Sequence, residues 1–484
     1  MASANISFDQ IPASIRKPGK YFEFNTKLAV RTLPGNPQRV LVIGQRLADT
    51  AAQPALAALD VFSDEQAAQA FGRGSNAHLM ARAAINANPY LQLTVNANPY
   101  LQLTVIGVDD AAAGAAASGS FTFSGPAAAA GVLSLFIGAV RVDVAVAAGD
   151  DAGKIAANAQ AAIAKLSDLP VTASAAKEVL TLAARHKGSI GNGIALKAQE
   201  QIAGLGVVVA PMKGGAGDPD LAPALAAVVS GGHQIIASPF TGDAALTALR
   251  NHLDFVSGPL EQRGAIGVIA ATGAQADASA LSAKLDSGRI TAAWYRGSAK
   301  LSADIAAAYA AVIASEEDPA RPLNTLELKG LDVVDLASRT SRTEQENALY
   351  NGVTPLEVAA GDRVQIVRAI STYTKDAQGV DDVSLLDITT IRTLDYVRKA
   401  CRERIALRFP REKLSDRTPS KVRSELLDVL YKLEELEIIE QVEANKAGLI
   451  VERDLQDVNR LDAKIPVDVV NGLHVFAGRI DLLL

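Results

Sequence analysis

The feature that most constrains the fold is a regular alternation of short apolar runs and longer helical stretches between Asp218 and Glu317. The apolar runs are typical of buried strands, and they are Ile235–Ala237, Ile266–Ala270 and Ile290–Trp294. The stretches that follow them predict helices near Ala244–Val256, Ala276–Leu285 and Ala303–Ala314. A strand and a helix that recur about every 25–30 residues predict a parallel sheet covered by helices.

A similar pattern precedes this region. Val40–Ile43 is a short apolar run closed by Gly44, which predicts a further buried strand. A helix is predicted from Asp60 to Phe71, ending at Gly72. At 484 residues the chain is too long for one hydrophobic core, so we expect about two to four domains. An apolar content of 49% argues against disorder.

A change of composition marks the middle of the chain. Residues 111–130 are rich in alanine, and from Gly119 to Met212 short predicted strands alternate with glycine-rich turns. The predicted elements are strands at Phe121–Phe123, Val132–Val146 and Val179–Ala183, with one helix near Ile155–Leu166. We interpret this region as an inserted, mainly β domain.

The C-terminal third has a different pattern again. The predicted elements are a strand at Val364–Ile370, long helices at about Leu385–Arg408 and Ser420–Ile438, and strands at Arg460–Val467 and Leu473–Leu484. Pro410 and Pro419 separate the two helices. Asn471-Gly472 is a common hairpin signal and would join the last two strands.

These patterns divide the chain into five predicted parts. Pro12, Pro18 and Gly19 interrupt residues 1–30, which we interpret as an N-terminal arm. The other parts are a central α/β domain (31–110 and 213–363), the inserted domain (111–212), a C-terminal domain (364–470) and a terminal strand or arm (471–484).

An identical ten-residue segment, NANPYLQLTV, occurs twice in succession, at 86–95 and 96–105. Because ten is an even number, the duplication keeps the same face of a strand apolar. We interpret it as an unselected duplication or a sequence error, not as a functional device. The true strand is expected to continue through Leu103, Val105 and Val108.

Charge and cysteine content exclude several classes of protein. A net charge of −6 gives the chain as a whole no electrostatic reason to bind nucleic acid. The single cysteine, Cys401, cannot form an internal disulfide or a thiolate metal site, and we interpret it as a small apolar group on a helix. The sequence shows no secretory signal and no apolar run long enough to span a membrane, so we expect a soluble protein made in a cytoplasm.

Short segments along nearly the whole chain resemble the tail sheath proteins of Mu-like contractile phages. Their order and spacing carry the resemblance, since each segment is short. They are Ile11–Pro12, Arg16–Phe24, Pro37–Gln45, Lys187–Asn192, Asp318–Thr325, Tyr350–Val353, Asn459–Leu461, Pro466 and Val475–Ala477. The ten-residue duplication departs from the family pattern.

The resemblance implies a multidomain α/β plus α+β fold. In that family the central α/β domain is subtilisin-like in topology and non-catalytic. A C-terminal domain follows it, and extended arms lie at both ends of the chain. Six subunits form a ring around the tail tube, and stacked rings make a helical sleeve. Its contraction drives the tube through the host envelope for genome ejection.

The resemblance also implies the partners. These are further copies of the chain, the tail tube protein, and the baseplate and tail terminator proteins, with no nucleic acid, membrane insertion or cofactor. The protein would be assembled in the bacterial host cytoplasm and end in the virion tail. The sheath of a phage-derived bacteriocin or another contractile injection device is an alternative that the sequence leaves open.

Both termini carry apolar strand formers close to a free end. In the sheath family such arms add strands to sheets of neighbouring subunits, whereas the alternative is pairing within the same subunit. A free arm would stay loose and become ordered only on a partner already in place. The candidate residues for exchange are Tyr21, Phe22, Glu23, Phe24, Val475, Phe476, Ile480, Leu482 and Leu484.

Charge is unevenly distributed in the C-terminal region. Between Arg392 and Arg423 there are eleven Lys or Arg residues and four acids. Between Glu425 and Glu443 there are seven acids and one basic residue, Lys432. Opposite patches suit contacts between identical subunits or with a tube, and the alternative is a solvated helix pair with local ion pairs. The candidate contact residues are Arg398, Lys399, Arg402, Arg404, Arg408, Arg411, Lys413, Glu434, Glu435 and Glu437.

A subtilisin-like topology also raises the hypothesis of an α/β hydrolase. The sequence contains no G-x-S-x-G elbow, and among its five histidines only His233 lies in a loop that could suit catalysis. The glycine-rich segments Lys213–Asp218 and Gly188–Gly193 do not follow a phosphate-loop pattern and are interpreted as turns. No metal-ligand spacing is found, so we expect no enzymatic activity and no metal.

Overall fold

The computed structural model describes residues 33–92 and 101–482, together with Lys17, Gly19 and Lys20. The predicted arm residues Tyr21, Phe22, Glu23 and Phe24 lie outside the described residues, and so does Leu484. The N-terminal arm predicted at residues 1–30 therefore stays a prediction.

Contacts divide the chain into two units, residues 1–35 and residues 36–484. The first unit has no helix or strand among its described residues. Every described helix and strand belongs to the second unit.

The second unit begins with three strands and two helices. They are β1 (Gln38–Gln45), β2 (Ala58–Asp60), α1 (Asp64–Phe71), α2 (Asn76–Ala87) and β3 (Leu101–Val108). The predicted helix 60–71 begins only at Asp64, because Asp60 ends β2. Gly44 lies inside β1 and does not end it: a Cβ there would lie 2.6 Å from the Cα of Ala77 in α2, so the close approach of this helix requires glycine.

The next region forms two antiparallel sheets of its own. Its elements are β4 (Ala116–Ser124), β5 (Gly131–Ile137), β6 (Val140–Val146), α3 (Ala152–Ala164), β7 (Val171–Ala176), β8 (Val179–Lys187), β9 (Leu196–Gln199) and β10 (Gly206–Lys213). The sheets have the strand orders β10-β4-β8-β7 and β6-β5-β9. The single long strand predicted at 132–146 is a hairpin of β5 and β6, and α3 contacts strands of both sheets.

The strand–helix alternation of residues 218–317 is confirmed, with each of the three strands and three helices ending within one residue of its predicted bounds. The elements are α4 (Ala222–Ala227), β11 (Ile235–Ala237), α5 (Asp243–Ser257), β12 (Ile266–Ala271), α6 (Gln275–Leu285), β13 (Ile290–Trp294), α7 (Ser302–Ala314), α8 (Arg342–Tyr350), β14 (Thr354–Ala359) and β15 (Arg363–Ile366).

These strands join the first three in one central sheet of eight, in the order β15-β14-β13-β12-β11-β1-β3-β2. The strands from β14 to β3 are parallel, as predicted, and the two edge strands are antiparallel. Because β15 extends this sheet, the sheet crosses the boundary predicted at residue 363.

The core of this sheet depends on alanine. Every residue of α7 from Ala303 to Ala314 is buried, and the helix contacts α2 as well as β1, β11, β12 and β13. Small side chains allow a helix to approach both a sheet and another helix closely. The alanine-rich sequence thus reflects a helix enclosed on all sides.

The two copies of the repeated segment have different structures. In the first copy, residues 86–87 are the last two residues of α2. Pro89–Gln92 then form a 3₁₀ turn in which Leu91 is fully buried. In the second copy, 101–105 begin β3, which confirms the strand expected through Val108. Residues 93–100 lie outside the described part of the chain.

The C-terminal elements are α9 (Ile388–Arg408), α10 (Thr418–Glu435), β16 (Ile439–Glu440), α11 (Val442–Asn445), β17 (Ile450–Arg453), β18 (Leu461–Lys464) and β19 (Asp468–Val469). The two long helices are confirmed, but the hairpin predicted through Asn471-Gly472 is wrong. β18 pairs with β17 instead, and residues 471–482 form no strand. Gly472 packs against Pro322, where a Cβ would lie 2.6 Å from the proline ring.

No helix of the described chain is long and apolar enough to cross a membrane.

Candidate functional site

Apolar side chains of the last described segment, residues 471–482, do not pack against the chain. The exposed fractions are 78% for Val475, 87% for Phe476, 98% for Ile480 and 84% for Leu482. Burying such a side chain is worth about 1.5–3 kcal/mol. The segment therefore presents apolar surface that a partner could cover, and the strand exchange predicted for these residues stays a prediction.

The segment is attached to the body of the unit at His474. The Nδ2 of Asn324 lies 2.9 Å from His474 Nδ1, and His474 Nε2 lies 3.4 Å from an oxygen of Asp387. Arg368 donates to both oxygens of that carboxylate, at 2.9 and 2.7 Å. Burial would raise the pKa of Asp387, but His474 and Arg368 outweigh it and lower the pKa to about 2. The contact between Asn324 and His474 joins the segment to the body of the unit, and the apolar side chains beyond it are not covered.

A second surface is the hairpin of β17 and β18, in which Ile450 pairs with Lys464 and Arg453 with Leu461. These strands pair only with each other in the described chain, so both outer edges of the hairpin are open. The side chain of Arg423 in α10 fixes the residues just before β17: it donates to the carbonyl oxygens of Leu449 and Lys446, both at 2.8 Å. Open edges on a fixed support can accept further strands.

The sequence interpretation missed this hairpin, although a signal was present. Asp454 accepts the backbone N–H groups of Gln456 and Asp457 at 2.7 and 2.6 Å, which is the hydrogen bonding of an Asx turn. By residue type, Asn471-Gly472 is a stronger signal for a hairpin turn than the aspartates that follow β17. The pairing of 450–453 with 461–464 could have been found from the aspartates that follow β17.

Several of the predicted charged contact residues are engaged inside the helix pair. Arg404 is only 4% exposed at its side chain, and its Nη1 lies 3.1 Å from Glu425 and 2.7 Å from Asp428. Arg408 lies 3.2 Å from the same Glu425 carboxylate. The local ion pairs weighed as the alternative thus account for these two arginines.

Other members of the predicted set contact the body of the unit. Arg398 donates to the carbonyl oxygen of Ser257 and to Asp395, both at 2.7 Å, and Arg402 donates to the carbonyl oxygen of Gln262 at 3.1 Å. Further contacts are those of Lys399 with Glu403 at 4.0 Å and of the Glu434 carboxylate with the N–H of Val442 at 2.9 Å.

The remaining four members, Arg411, Lys413, Glu435 and Glu437, are exposed. The two basic residues lie before the start of α10 and the two acids lie at its end. An eighteen-residue helix is about 27 Å long, so the basic and acidic groups are at opposite ends of the helix pair.

The histidines do not form a catalytic arrangement with serine in the described residues. His78 and His186 bond to carboxylates, at 3.0 Å to Asp64 and 2.9 Å to Asp110, and each accepts a backbone N–H with its other nitrogen. Burial, with Arg39 nearby, lowers the pKa of His233 to about 4. No group of three potential metal ligands occurs in the part of the chain described.

The two glycine-rich segments contact each other. Asn192 donates to the carbonyl oxygen of Gly215 and accepts its N–H, both at 2.8 Å. Asp218 accepts the N–H of Ser189 at 2.6 Å, so this backbone donor is already bonded within the chain and does not point to a phosphate. Their interpretation as turns agrees with this arrangement.

Comparisons with known proteins agree with the resemblance seen in the sequence. Residues 214–372 match the phage tail sheath protein central domain, and residues 380–482 match the phage tail sheath C-terminal domain. Over 498 residues the chain is 34% identical to the Mu-like prophage FluMu tail sheath protein of Haemophilus influenzae, and the match covers 99% of this chain and 100% of that protein.

Two solved structures have a similar fold. The sheath tail protein of Desulfitobacterium hafniense has a TM-score of 0.51 at 14% identity, and the match covers 94% of this chain and 97% of that one. A chain of the six-fold symmetrised baseplate of the anti-feeding prophage has a TM-score of 0.51 at 12% identity, with 97% and 100% covered. At these identities the likeness concerns the fold alone.

Proposed function

Since this chain belongs to the phage tail sheath family and is a contractile tail sheath protein of the Mu-like type, we propose that it polymerises as stacked six-membered rings around the tail tube. The observation that carries the proposal is the presence, in one chain, of an uncovered apolar terminal segment and a hairpin with two open edges. The first is an apolar segment that forms no strand in the described chain, and the second is a two-stranded sheet that pairs with no further described strand.

The proposed link between subunits is strand addition. Residues 475–482 of one copy add to the β17–β18 hairpin of a neighbouring copy, and the N-terminal residues Tyr21–Phe24 add a further strand. Backbone hydrogen bonds along an open edge supply affinity, and the alternating apolar side chains supply specificity. Because His474 is anchored while residues 475–482 are not covered, the link can bend at a fixed point.

This link explains how a sleeve can shorten while its subunits stay connected. Subunits change their mutual positions while the exchanged strands keep them joined. The extended sleeve would be a kinetic trap, with suboptimal contacts that improve on contraction. The tube, baseplate and terminator are the further proposed partners, and the central parallel sheet is the part for which we propose subtilisin-like topology.

The proposal is tested by removing the apolar character of the terminal segment. The double variant Phe476→Asp with Ile480→Asp is expected to stay folded, since both side chains are exposed, and to form no tubes or rings in negative-stain electron microscopy. Leu260→Asp is the matched control, because Leu260 is 94% exposed but lies in the loop after α5. Normal tubes from the double variant would overturn strand addition by this segment.

A truncation tests the other arm. Deletion of residues 1–24 is expected to give folded chains that do not polymerise at any concentration at which the full chain does. If the truncated chain assembles normally, the N-terminal link is wrong while the C-terminal link is unaffected.

A further inference from the structure

The chain contains three Asn-Gly steps, which begin at Asn192, Asn351 and Asn471. In such a step the backbone nitrogen of the glycine can attack the side-chain amide carbon of the asparagine, because glycine has no Cβ to hinder the approach. The attack needs an amide that can rotate toward that nitrogen and a backbone N–H that no acceptor holds. These two requirements distinguish the three steps in the structure.

The side chain of Asn192 is held on both sides of its amide. Its Nδ2 donates to the carbonyl oxygen of Gly215, and its Oδ1 accepts the N–H of the same residue, both at 2.8 Å. The residue also lies in a 3₁₀ turn, Ser189–Gly193. Rotation of the amide toward Gly193 breaks both bonds, so the fold protects this step.

Asn351 caps the end of α8, and both groups that would react are held there. Its Nδ2 donates to the carbonyl oxygen of Asn347 at 2.6 Å, and the N–H of Gly352 donates to the carbonyl oxygen of Leu349 at 3.3 Å. Gly352 is buried, and its own carbonyl oxygen accepts the hydroxyl of Ser282 at 2.8 Å. Attack at this step requires the end of the helix to open.

Asn471 differs from the other two asparagines. Its side chain is exposed and has no hydrogen-bond partner among the described residues. The N–H of Gly472 donates to no carbonyl oxygen of the described chain, and the last backbone hydrogen bond before it joins Val470 to Ile438 at 3.4 Å. Residues 471–482 form no helix or strand. Neither the amide nor the attacking nitrogen is therefore held.

Packing also requires glycine after Asn471. A Cβ on Gly472 would lie 2.6 Å from the ring of Pro322, closer than such atoms pack. The contact of His474 with Asn324, which joins the terminal segment to the body of the unit, follows two residues later. The packing at this point therefore keeps an unhindered nitrogen next to Asn471.

We propose that Asn471 is a site of spontaneous deamidation, with water as the co-reactant. The nitrogen of Gly472 bonds to the side-chain carbonyl carbon of Asn471, the bond from that carbon to Nδ2 breaks, and ammonia leaves with the proton that the attacking nitrogen gives up. Water then opens the cyclic imide at either of its carbonyl carbons. The product is an aspartate with the original backbone or an isoaspartate, whose backbone runs through the side-chain carbon, and no atom is oxidised or reduced.

The modified residue lies where the terminal segment leaves the body of the unit. The reaction replaces a neutral amide by a carboxylate, and an isoaspartate also adds one carbon to the backbone immediately before Gly472. Because Gly472 fits closely against Pro322, the longer backbone displaces this contact. We therefore expect unassembled chains to lose their capacity to polymerise with time. This effect rests on the proposed strand addition by residues 475–482, whereas the chemical step does not.

The test follows all three Asn-Gly steps in one sample. The dilute, unassembled full-length chain is kept in mildly alkaline buffer, which helps to remove the proton of the attacking nitrogen, and is digested at intervals for peptide mass spectrometry. Position 471 is expected to deamidate at least about tenfold faster than positions 192 and 351, because those two must first break hydrogen bonds. Equal rates at the three positions, or a faster reaction at 192 or 351, would overturn the proposal.

The same measurement in urea isolates the contribution of the fold. Unfolding removes the hydrogen bonds of Asn192 and Asn351, so the difference between the three positions is expected to disappear. A preference for position 471 that persists in urea would show that the neighbouring sequence sets the rate, and would contradict the proposal.

Variants connect the reaction to assembly. Asn471→Gln is expected to abolish modification at this position, since attack on a glutamine needs a larger ring. Asn251→Gln makes the same change at an exposed asparagine that no glycine follows, and is expected to leave the rate at 471 unaltered. After ageing, the unaltered chain and Asn251→Gln should form fewer tubes in electron microscopy in proportion to modification at 471, while Asn471→Gln keeps its assembly. An equal loss in Asn471→Gln would overturn the effect on assembly.

Failure of the proposed polymerisation can be told apart from failure of this proposal. The mass spectra are recorded on unassembled chains, so the relative rates at 192, 351 and 471 are the same whether or not the fresh protein forms tubes. Fresh protein that never polymerises contradicts the proposed function, and equal rates at the three positions contradict the deamidation site.

Discussion

At the scale of single residues, two buried aspartates illustrate how surroundings decide the effect of a charge. Burial raises the pKa of Asp304 to about 6, and its Oδ1 has no hydrogen-bond partner in the described chain. Asp387 is also largely buried, but His474 and Arg368 lower its pKa to about 2. The same side chain therefore opposes folding at one position and supports it at the other.

Substitution by asparagine should separate the two cases. The folded chain keeps the Asp304 proton up to about pH 6, whereas an unfolded chain loses it near 3.8, so stability falls as the pH rises between these values. Asp304→Asn is therefore expected to raise the free energy of unfolding at pH 8 by about 1–3 kcal/mol, with little effect at pH 4. Urea denaturation of dilute protein, followed by fluorescence of the buried Trp294, measures it.

Asp387→Asn is the matched control with the opposite sign. The Asp387 carboxylate stabilises the fold fully above about pH 4, and this contribution is lost as the pH falls toward 2. The variant is expected to lose about 2 kcal/mol at pH 7. Destabilisation by both substitutions at pH 8 would contradict the assignment of Asp304 as an unfavourable charge.

At the scale of elements, the repeated segment shows that one sequence can form two structures. The first NANPYLQLTV copy ends α2 and buries Leu91 in a 3₁₀ turn, while the second copy begins β3. In the second copy Leu101 to Val105 pair with Gln38 to Val42 of β1 along a buried parallel ladder. The partner strand, and not local propensity, decides which copy becomes a strand.

Removing one copy tests whether the extra residues are needed. Deletion of 86–95 or of 96–105 produces the same sequence, and the connection 88–100 between α2 and β3 would shrink to three residues, an ordinary length for such a loop. The shorter loop favours folding by about 1 kcal/mol, whereas loss of the buried Leu91 costs about 1.5–3 kcal/mol. We expect a folded variant within about 2 kcal/mol of the full chain in urea denaturation. An unfolded variant would show that the 3₁₀ turn is essential.

At the scale of the whole molecule, the charge on the C-terminal helix pair is polarised. Its inner ion pairs, such as Arg404 with Asp428, are satisfied within the chain. Of the candidate contact residues, the exposed ones are Arg411 and Lys413 before α10, where Glu412 and Asp416 are exposed as well, and Glu435 and Glu437 at its end. The helix between them is about 27 Å long. A surface that is basic at one end and acidic at the other is suited to a head-to-tail contact, in which each copy binds two neighbours through different surfaces.

Charge reversal tests this head-to-tail contact. Arg411→Glu with Lys413→Glu, and separately Glu435→Lys with Glu437→Lys, are each expected to raise the protein concentration needed for polymerisation at least about tenfold. The chain that carries all four reversals should polymerise again, because its two ends are once more complementary. Light scattering and electron microscopy measure assembly, and no recovery in the fourfold variant would exclude a contact between these two ends.

The sequence determined the parts of this protein that depend on neighbouring residues. The alternation at 218–317 reproduced its strands and helices within one residue, because burial on a sheet and on a helix leaves different periods of apolar residues. The apolar residues at 475–482 are also visible in the sequence, but their exposure and the absence of a strand at 471–482 are not. Short segments in a constant order were enough to indicate the family.

The pairings between distant residues could not be predicted from the sequence and are known from the structure. It showed that β18 pairs with β17 and not with the terminal segment, and that Arg404 faces α10. It also brought Arg392 next to Gln38, 354 positions earlier in the chain, where the guanidinium donates to the glutamine side chain at 3.2 Å. Periodicity indicates which face of an element is buried but not which element covers it, because that choice depends on packing and hydrogen bonding summed over the whole fold.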